Sequence, residues 1–238
     1  MVRLSKRLQA LGNLVSPNLR LCDVGCDHGF LPIALVQQDK ITRALAVDVK
    51  EGPLSAAREH IAEAGLQEVI ATRLSDGLQA VQPDEAQCIL IAGMGGALVM
   101  HILSSSPQVA KNAVELVLQP QSEIADVRRY LYREGYRIRQ EDMVWEDGKF
   151  YPMMKVVYAP EVCVQPDEVQ LTFGPDLIAK AHPVLLMYLQ QEVRRQSAVL
   201  QQLECSPPGE AIEKRRREVE DYGRLLEEGI RRCTGAKA

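Results

Sequence analysis

Leu19-Arg20-Leu21-Cys22-Asp23-Val24-Gly25-Cys26-Asp27-His28-Gly29-Phe30-Leu31-Pro32 decides the fold of this chain. The apolar run from Leu19 to Val24 reads as a buried strand. It breaks at Gly25-x-x-x-Gly29 and resumes from Leu31 to Val36 as an apolar, helix-compatible run. Strand, glycine turn and helix are the parts of a nucleotide-type ligand site at the end of a parallel strand. Glycine serves this turn twice: it adopts positive φ, and it lets backbone approach a ligand closely.

The spacing is Asp23-x-Gly25-x-x-x-Gly29 rather than G-x-G-x-x-G, and the strand ends in an acid. Asp23, Asp27 and the acid closing the next strand would repel a diphosphate on the helix N-terminus. S-adenosylmethionine carries a sulfonium and an ammonium and no phosphate. Neighbouring carboxylates suit those cations, so the acids favour an adenosylmethionine site over a dinucleotide site.

Upstream, Leu4 to Val15 reads as a short amphipathic helix with Leu4, Leu8, Leu11 and Val15 on one face. Lys6 and Arg7 read as a solvated face or, more sharply, as a basic edge beside the cofactor mouth. Downstream, Ile41 to Asp48 is a second strand. Asp48 follows Asp23 by 25 positions, the length one helix and one strand consume, and so falls where an acid grips a ribose. Leu54 to Ala64 is the next helix, with Pro53 at its tolerated N-terminal place. Val69 to Leu74 is strand three. Asp76 follows it and is a candidate acceptor for the adenine amine. Strand four starts at Cys88 and leads into Gly93-Met94-Gly95-Gly96, then a helix from Ala97 to Leu103. Three glycines around Met94 imply close backbone approach to cofactor and reacting group.

Val114 to Leu118 is strand five. A helix from Ser122 to Glu134 is expected to open with Ser-Glu cap chemistry, to end at Gly135, and to carry Arg128, Arg129 and Arg133 on its surface. Tyr136 to Trp145 and Phe150 to Tyr158 flank Asp147-Gly148, a hairpin signal. Ala159 to Pro175 reads as an acidic, proline-containing linker. Two long helices follow, stepping through Leu186, Leu189, Val193, Leu200 and Leu203, then Ile212, Val219, Tyr222 and Leu226. Ser206-Pro207-Pro208-Gly209 joins them into an antiparallel, coiled-coil-like hairpin. Its strongest basic run is Lys214-Arg215-Arg216-Arg217.

At 46% apolar and 25% charged residues the composition is that of an ordinary globular protein, and a formal net charge of -4 gives no global basic field for nucleic acid. Any RNA contact must come from local patches. The six cysteines, Cys22, Cys26, Cys88, Cys163, Cys205 and Cys233, lack zinc spacing, so no metal is expected and the thiols read as reduced. With no apolar leader or membrane-length run, a cytoplasmic protein is expected, a monomer rather than an obligate oligomer.

These motifs together resemble the bacterial TrmK family of tRNA (adenine-N1)-methyltransferases, which modify position twenty-two of tRNA. The resemblance runs through Leu4-Ser5-x-Arg7-Leu8, Asp23-Val24-Gly25-x-Asp27-His28-Gly29-Phe30-Leu31-Pro32, Asp48-x-x-x-Gly52-Pro53 and Gly77-Leu78. It continues through Ile91-Ala92-Gly93-Met94-Gly95-Gly96, Leu118-Gln119-Pro120 and Phe173-Gly174-Pro175. It implies an α/β fold: a Rossmann-like class I methyltransferase domain over residues 1–160, with a mostly parallel sheet and a terminal antiparallel hairpin. A C-terminal α-helical hairpin would occupy residues 161–238. It implies that Asp23, Gly25, Asp27, His28 and Gly29 frame the methionine end of S-adenosyl-L-methionine, that Asp48 holds the ribose, and that Asp76 and Gly77 meet the adenine. Ala92, Gly93 and Met94 would stand where other base methyltransferases carry Asn/Asp-Pro-Pro-Tyr. Gln121 stands where the family pattern has Asn, Pro152 where it has Glu, and Asp48 where Glu is usual.

The implied chemistry is displacement of a methyl group from sulfonium by adenine N1, with tRNA as partner. Asp27 and His28 are the expected positioning and proton-handling groups beside Met94, and Tyr151 is expected to stack on the base. Arg7, Arg128, Arg129, Arg133 and the run Lys214, Arg215, Arg216 and Arg217 are the expected RNA contacts. Three rivals fit parts of the pattern: a methyltransferase acting on a small molecule or protein, a nicotinamide enzyme, and a non-catalytic cofactor-binding RNA module.

Overall fold

The computed structural model describes residues 2–162, 165–207 and 209–235; Cys163 and Pro208 therefore lie outside the described residues. Two compact units divide the chain, residues 1–164 and 165–238.

The first unit is built on strands β1 (Arg20–Val24), β2 (Arg43–Asp48), β3 (Ile70–Leu74), β4 (Cys88–Met94), β5 (Glu115–Pro120), β6 (Tyr136–Glu146) and β7 (Lys149–Tyr158). They form one sheet in the order β3-β2-β1-β4-β5-β7-β6. The first five are parallel; β7 runs antiparallel to both β5 and β6. Helices α1 (Lys6–Leu14), α2 (Phe30–Gln37), α3 (Glu51–Glu63), α4 (Gly96–Ser105), α5 (Pro107–Asn112) and α6 (Ile124–Arg133) accompany it.

The strand sequences are nearly all apolar because both faces of the sheet are covered. Alternation still sorts them. Cys22 and Val24 of β1 enter one core cluster with Val47, Ile89 and Ile91. Leu21 enters the other with Ala44, Ala46, Cys88 and Leu90. Asp23 shares the parity of Leu21, so its carboxyl is carried inside at 5% exposure.

Strand order reverses between β1 and β4, which pair in parallel. Such a switch point opens a crevice at the carboxyl ends of the strands. The expected terminal hairpin is present, and its turn residues Asp147 and Gly148 both have positive φ, 49° and 75°. That is the two-residue turn whose twist matches paired strands. Near this turn Glu146 accepts the backbone N–H groups of Lys6 (2.6 Å) and Arg7 (3.2 Å). Ser5 adds a cap bond to Leu8 N–H at 3.3 Å, so α1 starts at Lys6 rather than Leu4.

Two local expectations are corrected. Helix α6 starts at Ile124, with Glu123 in the left-handed region and no side-chain cap. Ser122 and Glu123 instead accept the N–H groups of Gly96 (3.2 Å) and Ala97 (2.9 Å), serving the open N-terminus of α4. Arg128 is not on the surface. Its apolar neighbours on α6 turn it inward, where it is 1% exposed and paired with buried Glu141 at 2.9 Å. A further helix that the sequence reading did not include, α5 over Pro107 to Asn112, opens with Pro where its missing N–H costs nothing.

In the second unit, the expected linker contains α7 (Glu168–Phe173), followed by α8 (Pro175–Ala179). Asp167 and Gln170 form a reciprocal capping box, and Val169, Leu171 and Phe173 are buried. A composition rich in Pro and acids hid this short helix. The two long helices are α9 (Pro183–Glu204) and α10 (Glu210–Thr234). Tyr188 and Tyr222 hydroxyls bond across them at 3.1 Å. Gly229 has no Cβ, and one there would stand 3.0 Å from the Phe173 ring and 3.4 Å from Leu189.

Candidate functional site

The turn after β1 is built on three left-handed residues, Gly25 (φ 72°), Asp27 (φ 50°) and Gly29 (φ 69°). Asp tolerates this region better than most side chains, at a cost that glycine avoids. Gly25 and Cys26 N–H groups donate to the Val47 carbonyl at 2.8 and 3.1 Å, which ties the turn to the end of β2. Gly29 N–H closes it onto the Cys26 carbonyl at 2.8 Å. A Cβ on Gly25 would collide with the Met94 methyl, so the β1 and β4 turns meet face to face.

Between them lies a cleft of about 410 Å³. Asp23, Asp27 and Asp48 line it together with Ala92, Gly93 and Met94. Arg7 and Gln121 border the same space, as do His28 and Phe30. Burial first, then the charges of Asp48 and Asp27, push the Asp23 carboxyl up to about 7. Three carboxylates around one cleft fit a cationic ligand and disfavour a diphosphate. Asp48 Oδ1 accepts Lys50 N–H at 2.9 Å, which fixes the carboxylate at the end of β2.

The Gly93 turn is organised by Gln119, which is 0% exposed at the end of β5. Its Oε1 accepts from Arg7 Nη1 at 3.0 Å and from Gly93 N–H at 3.2 Å. Both partners are donors, so this atom must be the carbonyl oxygen. Its Nε2 donates to the Pro120 carbonyl at 3.2 Å. Gly93 has φ 77°, and a Cβ there would lie 3.6 Å from Arg7 Nη1 and 3.8 Å from Gln121 Nε2. The bare α-carbon of Gly93 thus forms a gap between a guanidinium and a carboxamide.

Geometry and relatives agree. The family profile described as TrmK: tRNA (adenine(22)-N(1))-methyltransferase matches residues 21–228. The chain is 32% identical to the tRNA (adenine(22)-N(1))-methyltransferase of Bacillus subtilis, over 96% of this chain and 98% of that one. The crystal structure of the B. subtilis M1A22 tRNA methyltransferase TrmK superposes with a TM-score of 0.84 at 30% identity, covering 97% of this chain and 100% of the other. Streptococcus pneumoniae Sp1610 in complex with S-adenosyl-L-methionine superposes with a TM-score of 0.85 at 32% identity, covering 96% and 100%.

The chain belongs to the TrmK family of tRNA (adenine(22)-N(1))-methyltransferases.

Within this TrmK fold the expected site residues separate into groups. Asp23, Gly25, Asp27, His28, Asp48, Ala92, Gly93, Met94 and Arg7 all border the cleft. Gly29 does not; it caps α2 and lets Ala57 approach, 3.3 Å from where its Cβ would be. Asp76 is exposed beyond β3 and outside the cleft lining, although the preceding Ser75 N–H reaches the Asp48 carbonyl at 2.9 Å. Gly77 is required by packing, since a Cβ would stand 2.9 Å from Ile102. Tyr151 lies outside the cleft lining, with its ring centroid 5.5 Å from the Arg7 guanidinium.

His28 is half exposed with Nε2 3.6 Å from Asp27 Oδ1. It stacks on Phe30 at 5.4 Å, and Phe30 stacks on His60 at 4.7 Å. His60 Nδ1 donates to the His28 carbonyl at 3.0 Å, which fixes the tautomer of His60. Among the expected RNA contacts, Arg129 pairs with Asp126 and Arg133 with Glu134, both near the surface. Arg215 pairs with Glu218 at 3.0 Å on α10. Lys214 and Arg217 are exposed there, and Arg216 is half-buried.

Sequence reasoning missed Gln119 and Phe30 as site residues, and His60 altogether. Gln119 had one usable signal: an amide within a run that is otherwise apolar and wholly buried. No group of His, Cys, Asp or Glu among the described residues could hold a metal ion. No helix among them is long and apolar enough to cross a membrane.

Proposed function

We propose that this chain methylates N1 of the adenine at position 22 of tRNA, using S-adenosyl-L-methionine. One observation carries the reading: the buried Asp23 and half-buried Asp48 carboxyls line the same cleft as the bare α-carbon of Gly93. The carboxyls fit a cation and the Gly93 gap fits the edge of a base. When bound, S-adenosyl-L-methionine supplies an electrophilic methyl group on a positively charged sulfur.

Asp23 and Asp27 would hold the cationic methionine end and Asp48 the ribose hydroxyls. Adenine N1 attacks with its own lone pair, so no general base is needed to begin. The residues gain rate by orientation instead. Positive charge moves from sulfur to the base as the N1–C bond forms and the S–C bond breaks. Asp27, exposed beside His28 on the cleft lining, would meet that charge. Because N1 lies on the Watson–Crick edge, the base must leave its pair before it can reach the cleft.

Local basic patches would hold the RNA: Arg129 and Arg133 on α6, and Lys214, Arg215, Arg216 and Arg217 on α10. Arg128 is excluded by its burial. The described cysteines are free thiols, consistent with action on tRNA in a reducing cytoplasm. Mass-spectrometric nucleoside analysis of tRNA, after incubation with the protein and isotopically labelled cofactor, tests the reading. Labelled 1-methyladenosine at position 22 is expected; label in another nucleoside, or in none, would overturn it. Sedimentation during turnover tests the expected monomer.

A further inference from the structure

We propose that Gln121 reads the N6–N7 edge of the target adenine and thereby turns N1 toward the transferred methyl group. The inference rests on the adenine-N1 reading above and assigns the contact that orients the base.

Gln121 is exposed on the cleft wall. Its backbone is locked, since its N–H donates to the Met94 carbonyl at 2.8 Å. Its side-chain amide has no hydrogen-bond partner among the described residues. That amide and Arg7 flank the bare face of Gly93, at 3.8 and 3.6 Å from the position of a Cβ. The Gly93 N–H is already given to Gln119 and is not available to a base.

Methylation at N1 leaves the Hoogsteen and sugar edges of adenine, and the sugar edge offers only the N3 acceptor. A reader on the Watson–Crick edge would cover the nucleophile itself. The Hoogsteen edge offers an N6–H donor and the N7 acceptor. A carboxamide matches both, with oxygen accepting from N6–H and nitrogen donating to N7. Arg7 has donors only and cannot satisfy N6–H. The Asp27 carboxylate accepts only and would repel N7. Among the polar side chains bordering the gap, Gln121 alone carries both halves of the match.

The test is a cycle between protein and base. Wild type and Gln121→Leu each receive tRNA bearing adenine or 7-deazaadenine at position 22, and kcat/KM and cofactor-free tRNA affinity are measured. Circular dichroism checks that the exposed substitution leaves the fold intact. The deaza base also changes N1 basicity, but that effect is common to both enzymes and cancels in the ratio. Wild type should lose about tenfold in kcat/KM on 7-deazaadenine, the low end for a bidentate contact. The leucine variant should already be about tenfold slower on adenine and lose nothing further on the deaza base. An equal deaza penalty in both enzymes would overturn the role of Gln121. Absence of 1-methyladenosine from wild type on ordinary tRNA would instead overturn the reading beneath it.

Discussion

Arg7 donates Nη1 to Gln119 Oε1 at 3.0 Å, joining the first helix to the end of β5 across 112 positions of sequence. The same oxygen receives Gly93 N–H, so one buried amide sets both the guanidinium and the glycine gap. Replacing Gln119 by Leu should cost about 1–3 kcal/mol of stability, because Gly93 N–H loses its acceptor. Transfer should fall further than tRNA affinity, since Arg7 is then unanchored. Arg7→Ala in the Gln119→Leu background should add little, as the two act as one unit. Strictly additive losses in kcat would show that they do not.

Asp23 gives the site a pH signature. Its carboxyl is raised from 3.8 to about 7, chiefly by burial. The folded chain therefore keeps a proton that the unfolded chain has released between pH 4 and 7. Stability contributed by this group is whole below about pH 4 and declines as pH rises toward 7. A cationic ligand favours the carboxylate, so binding near pH 6 should expel a proton. Calorimetry in buffers of different ionisation enthalpy should detect that release in wild type and not in Asp23→Asn. Equal buffer dependence in the two proteins would remove Asp23 from the binding equilibrium.

Asp48 is the proposed ribose acceptor. It sits at the β2 terminus with one oxygen held by Lys50 N–H. Asp48→Ala should weaken S-adenosylmethionine binding by about 1.5–3 kcal/mol, the scale of hydrogen bonds to a charged group. Unchanged affinity by titration calorimetry would place the ribose elsewhere.

The parallel strands and the hairpin were legible in the sequence because buried strands and an Asp-Gly turn leave local marks. The acidic turn from Asp23 to Gly29 likewise announced itself by spacing. What was hidden depends on contacts between distant segments. Arg128 looks like a surface cation until Glu141 of β6 is brought beside it. Ser122-Glu123 looks like a cap for its own helix, yet it serves α4. Gly77 and Gly29 read as ligand glycines, but Ile102 and Ala57 occupy the space a side chain would need. Local pattern names the glycine; only the tertiary neighbour says why it is there.

The glycines at the end of β4 and the start of α4 should separate by function. A Cβ on Gly96 would lie 2.5 Å from the Ser122 carbonyl oxygen and 2.9 Å from Val127, so Gly96→Ala is expected to destabilise the fold. On Gly93 the Cβ would enter the gap between Arg7 and Gln121 at a positive φ. Gly93→Ala should cost about 1 kcal/mol of backbone strain and most of the methyl transfer. Thermal melts and turnover of the two variants distinguish the cases. Normal turnover in a folded Gly93→Ala protein would mean that the gap serves only the turn.

The last prediction concerns division of labour between the two units. All cleft residues lie within residues 1–164. A break after Pro160 would be badly placed, because Arg137 Nε donates to the Val162 carbonyl. The proper fragment ends at 164, and it should keep adenosylmethionine affinity within a few-fold of the full chain. It should lose most tRNA methylation if α10 supplies phosphate contacts. Lys214 and Arg217 are exposed, while Arg215 is engaged with Glu218, so the first two are the cations best placed for RNA. Each phosphate contact removed should lower the salt slope of tRNA binding by roughly 0.7–0.9. Charge reversal at Lys214 and Arg217 should therefore raise the tRNA KM and flatten that slope, leaving cofactor affinity unchanged. A fragment that methylates tRNA at the full rate would make the helical unit a stability element, and the basic run a solvated face balanced by its own glutamates.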